Sequence, residues 1–114
     1  MKQAARFQSA IDLLTRIRMG KIPMDATIRD FMAQRRFIGS KDRTAIVERV
    51  YRAMRGNARL GWWVSQKFTQ DTARLRLLAD CVLSDKLSEQ EVAEIFSGDK
   101  YAPSTLTFPI GETL

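Results

Sequence analysis

Apolar residues return every three or four positions along most of this chain, the spacing that lines one face of an α-helix. Phe7, Ala10, Ile11, Leu14 and Ile17 form the first stripe and predict a helix over about Lys2 to Met19. Gly20 stops it, and Pro23 follows at the distance usual after a helix end. Ile28, Phe31 and Met32 carry a second helix, from near Pro23–Asp25 to near Arg35. Phe37-Ile38-Gly39-Ser40 reads as a tight loop, with Ser40 placed to cap the next helix and Asp42 suited to its N-terminal dipole.

The third helix, about Lys41 to Arg55, is sharply two-sided. At about 100° per residue, Ile46, Val47, Val50, Tyr51 and Met54 fall within an arc of about 140°. Lys41, Arg49, Arg52 and Arg55 fall on the other side, so the polar face is cationic. Tyr51, on the apolar arc, is expected in the core. Gly56-Asn57 ends this helix, and a fourth, about Ala58 to Phe68, carries Leu60, Trp62, Trp63 and Val64. Trp62 and Trp63 are candidates to stack on unpaired bases, but adjacent residues on a helix point about 100° apart, so the two are not expected both to face one ligand and at least one is expected in the core.

A fifth helix spans about Asp71 to Ser84. Leu75, Leu77, Leu78, Ala79, Cys81, Val82 and Leu83 cover most of its circumference, the pattern of a buried central helix. Ser88, with Glu91 three residues on, forms a capping box that opens a sixth helix ending near Phe96, before Gly98. Tyr101 to Leu114 holds Pro103, Pro109 and Gly111 without periodicity and reads as a tail or linker. No segment alternates as a half-buried strand does. The expected fold is all-α: about six helices over residues 1–98 and an irregular C-terminal tail over 99–114.

Composition removes most chemistry. There is no His and a single Cys, so a Ser-His-Asp triad, a Cys-His pair, a His-based metal site and an internal disulfide are all excluded. Cys81 sits among apolar neighbours and reads as a small buried hydrophobe. The glycines are isolated, so no phosphate-cradling loop exists. No apolar run approaches the roughly 18 residues of a membrane span. The N-terminus also lacks the apolar core of a secretory signal, so a cytoplasmic protein with a reduced thiol is expected.

Charge changes the picture more. Residues 1–76 hold 17 basic and 6 acidic side chains, whereas residues 77–114 hold 2 basic and 7 acidic. Thirteen of the 19 cations are Arg, whose planar fork suits bidentate phosphate contact. This asymmetry points to a polyanion, most simply RNA, docked on Arg35, Arg36, Lys41, Arg49, Arg52 and Arg55. Charge reversal of Arg49 with Arg52 is then expected to weaken RNA binding by about tenfold or more without unfolding. Arg43 lies on the apolar side of its helix and is expected to pair with an internal carboxylate such as Asp30. The competing readings are a merely solvated basic surface and a protein-interaction module using the acidic C-terminal part. An enzyme is disfavoured, since no nucleophile, metal set or cofactor loop is visible.

Phe37-Ile38-Gly39-Ser40-Lys41-Asp42-Arg43, followed by Ile46, Val50-Tyr51 and Arg55, resembles the N-terminal NusB-like domain of bacterial RNA cytosine-5 methyltransferases of the RsmB (Fmu, Sun/NOL/NOP) family. Ala4-Ala5-Arg6, Ile28-Arg29-Asp30-Phe31, Phe96-Ser97-Gly98 and Tyr101-Ala102-Pro103 extend the resemblance over nearly the whole chain. It implies a NusB-type helical fold that helps dock rRNA, with RNA contacts carried over to Arg6, Lys41 and Arg43. It also implies a separate C-terminal methyltransferase domain that binds S-adenosylmethionine and carries the catalytic cysteines in Pro-Cys and Thr-Cys motifs. Those motifs are absent here and Cys81 matches neither, so no catalytic residue and no cofactor is expected within these 114 residues. The expectation is an N-terminal piece of such an enzyme. The alternative is a stand-alone NusB-like RNA and protein module of transcription antitermination; no oligomeric state is implied.

Overall fold

The computed structural model describes residues 1–106. Their six helices are α1 (Gln3–Met19), α2 (Met24–Ala33), α3 (Ser40–Arg55), α4 (Asn57–Lys67), α5 (Ala73–Leu83) and α6 (Glu89–Ile95). No strand occurs among the described residues, and the chain is an all-α bundle, as its apolar spacing predicts. No helix among them is long and apolar enough to cross a membrane.

α1 is the hub, packing against α2, α3, α5 and α6, while α4 lies on α5 and α3. This corrects the expectation that the fifth helix occupies the centre. Leu13 joins Phe7, Ala10, Ile11 and Leu14 in the core and widens the buried arc of α1 to about 160°, enough to meet several neighbours. α5 is buried along Ala73 and Leu77 to Cys81 but leaves Leu75, Val82 and Leu83 partly exposed. Phe7 meets Phe96 edge to face at 5.2 Å, which ties the hub to the end of α6.

Local chemistry sets the helix ends. The Thr72 hydroxyl accepts from the Leu75 N–H at 3.2 Å and caps α5. Ser88 and Glu91 form the predicted capping box of α6. α3 begins one residue earlier than expected: extended Gly39 takes the N-cap position, and its carbonyl accepts from the Arg43 N–H at 2.9 Å. Ser40 is thereby the first helical residue and its hydroxyl caps nothing.

One further expectation is corrected. Tyr51 is half-buried rather than in the core, because its phenol reaches outward to donate to Asp25 at 2.8 Å. Residues 99–106 form no helix, as expected of an irregular tail, and they pack against the bundle. Gly98, in the left-handed region at φ 76°, donates to the Pro103 carbonyl at 2.9 Å and turns the chain back. Pro103 is buried, Leu106 packs on the core, and Arg74 donates to the carbonyls of Ser104 and Thr105 at 2.7 and 3.1 Å. The rest of the expected linker, 107–114, lies outside the described residues.

Candidate nucleic-acid interface

Two of the four cations on the polar arc of α3, Arg49 and Arg52, meet acids of α5 and of the turn that follows it. Arg52 donates to the Asp80 carboxylate from Nε at 2.8 Å and from Nη2 at 2.6 Å, and to Asp85 from Nη2 at 2.9 Å. Arg49 Nη1 lies 3.2 Å from Asp85 and 3.7 Å from Asp80, and its guanidinium sits 5.1 Å above the Phe7 ring. The Asp80 side chain is only 2% exposed, so it requires these cations. The expectation of a solvated phosphate-binding face on Arg49 and Arg52 is therefore corrected: helical spacing gives a residue's direction, not the carboxylate another helix brings to it. Reversing both charges would set carboxylates against Asp80 and Asp85 and destabilise the fold.

The neighbouring candidates divide in the same way. Arg43 donates to the Ile38 carbonyl at 2.9 Å, so its partner is a backbone oxygen and not the expected Asp30, whose carboxylate takes Arg29. This bond holds the loop before α3 while Ile38 anchors it in the core. Arg35 stacks on the Phe31 ring at 3.7 Å and donates to the Phe31 carbonyl at 3.2 Å. Arg6 donates to Asp42 at 2.6 Å, with the N-terminal amine on the other carboxylate oxygen at 3.3 Å. The Arg6 guanidinium, opposed by partial desolvation and aided by the terminal amine, holds the Asp42 carboxyl below its ordinary range.

Arg36, Lys41 and Arg55 remain exposed, and none has a carboxylate partner among the described residues. Arg36 and Lys41 bracket Phe37, which is 77% exposed at the tip of the loop between α2 and α3. Phe37 was not singled out from the sequence as a contact residue. The available signal was an aromatic between two cations in a glycine-containing loop.

Phe37 also lines a groove of about 1130 Å³ that runs along α1. Ala4, Ala5 and Ser9 line it from α1, and their short side chains leave the groove open. Tyr101 lines it as well, 73% exposed, its backbone in the left-handed region at φ 68°.

No family model, curated protein or solved structure matches this chain.

The remaining candidates divide between core and surface. Trp63 is buried and packs near Phe68 at 5.9 Å, whereas Trp62 is 66% exposed on α4, in line with the expectation that at least one of the pair is core. Cys81 is fully buried, and burial pushes its thiol up to about 12, which keeps it protonated and inert. No group of three or more Cys, Asp or Glu side chains that could hold a metal occurs among the described residues.

Proposed function

We propose that this chain is an RNA-docking domain whose contact surface is the loop between α2 and α3 with the first turn of α3, from Arg36 to Lys41. The observation that carries this reading is the loop's pairing of two free cations with one exposed aromatic, beside five arginines already held by carboxylates, a carbonyl or a ring. Unpaired cations bind phosphate with release of counterions, and an exposed ring offers a base a stacking face. Arg55, at the far end of α3, is a secondary phosphate contact. The resemblance to the NusB-like domain of rRNA cytosine-5 methyltransferases suggests the context: docking rRNA in the cytoplasm for a separate catalytic domain. S-adenosylmethionine would belong to that domain.

Fluorescence anisotropy with an rRNA fragment tests the reading. Arg36→Glu with Lys41→Glu should weaken binding by about tenfold or more, and should lower the slope of log affinity against log salt by about 1.4, or 0.7 for each phosphate contact. Both side chains are exposed, so the melting midpoint should hold. Unchanged affinity and slope would remove the loop from the interface.

A further inference from the structure

Phe37 and Tyr101 come from distant parts of the chain yet line one groove, and both expose most of their ring surface. One exposed ring alone is ordinary, but two exposed aromatics lining the same groove form a surface a ligand can use. Tyr101 is held in place by a turn: the Ala102 N–H donates to the Asp99 carbonyl at 2.9 Å while Gly98 closes on Pro103. Lys100 Nζ lies 5.1 Å from the Tyr101 ring. Each aromatic therefore has a cation beside it, Arg36 and Lys41 flanking Phe37 in the chain and Lys100 next to Tyr101. Lys2, at the N-cap of α1, and Arg35 line the groove as well. The volume exceeds the upper end of ordinary small-molecule pockets, roughly 1000 Å³, and has room for more than one nucleotide.

Three carboxylates, Asp12, Glu94 and Asp99, also line the groove. They repel phosphate, but they accept hydrogen bonds from the exocyclic amino groups of cytosine, adenine and guanine, which uracil lacks. Rings, cations and carboxylate acceptors share this lining, and Arg36 and Lys41 lie outside it beside Phe37 in the chain, an arrangement that suits a strand keeping its phosphates outside and turning its bases in. A duplex cannot do this, because its bases are already stacked and paired.

We infer that this groove takes unpaired bases of single-stranded RNA, with Phe37 and Tyr101 stacking on base faces and Arg36, Lys41 and Lys100 holding the flanking phosphates. The inference rests on the RNA-docking reading and specifies its substrate as amino-bearing, unpaired RNA.

The test titrates the whole chain with a labelled single strand of about twelve nucleotides and with the same sequence as a duplex. The single strand should bind at least about tenfold more tightly. Phe37→Ala with Tyr101→Ala should remove about tenfold or more of that affinity and leave duplex binding unchanged. Phe37→Tyr with Tyr101→Phe should restore it, which separates stacking from any effect on folding. Oligo(C) should bind more tightly than oligo(U). Equal binding of strand and duplex, or full single-strand affinity without the two rings, would overturn the groove assignment while leaving the docking function intact. A preference for oligo(U) would overturn the role of the carboxylates. Absence of RNA binding by the unaltered chain would overturn both this inference and the docking reading.

Discussion

Replacing Arg52 by Met tests the α3–α5 clamp directly. The substitution keeps most of the aliphatic stem and deletes three charge-assisted hydrogen bonds, two to Asp80 and one to Asp85. Removing one partner of a fully buried ion pair costs about 3–5 kcal/mol. Two features lower that figure here. Arg49 stays within 3.7 Å of Asp80, and the Arg52 side chain is 38% exposed, so solvent already screens part of the interaction. The expected loss is about 2 kcal/mol, which for 114 residues lowers the melting midpoint by about 8 °C. Arg49→Met with Arg52→Met leaves Asp80 buried without a cation and should cost about 4 kcal/mol. Arg55→Met, at an exposed and unpaired position of the same helix, should stay within about 0.5 kcal/mol. Urea denaturation and calorimetry at neutral pH measure all three. If Arg52→Met is no more costly than Arg55→Met, the clamp is an incidental surface pair and the argument withdrawing Arg49 and Arg52 from the RNA surface fails.

Acid should act through Asp42, whose folded carboxyl is held below its ordinary value of 3.8 by Arg6. Such a group stabilises the fold above its unfolded pKa, and that contribution is lost as pH falls through the lowered folded value. Asp42→Asn should therefore flatten the fall in urea midpoint below about pH 4; an unchanged acid limb would count against the pair. Cys81 should react with a disulfide reagent at pH 8 only as fast as the protein opens, since its thiol is buried and pushed up to about 12. A prompt stoichiometric reaction would contradict that packing. Ser88→Ala should cost about 1 kcal/mol by removing one half of the α6 capping box, seen as faster amide exchange confined to α6.

The helices were legible in the sequence because their causes are local. The stripe from Phe7 to Ile17, the Gly20 stop and the Ser88–Glu91 box each act within a turn or two of backbone. The single thiol's burial and the core role of one tryptophan followed in the same way, from helical direction and apolar neighbours. The hub was harder to read. α5 is apolar nearly all round, but α1 gains the central place by adding Leu13 to an already regular stripe.

The candidate site was only partly legible. Sequence determined that this chain is helical, rich in Arg towards its N-terminal side, and holds no His and a single Cys. It also determined which side of α3 each cation occupies. Tertiary structure alone decided which of those cations are free. Asp80 and Asp85 lie some thirty residues beyond Arg49 and Arg52 and meet them only because α5 packs against α3. Tyr101 joins Phe37 only because the chain after α6 folds back beside α1. Helical periodicity is a property of neighbouring residues, whereas charge pairing and groove formation depend on which faces the packed core brings together.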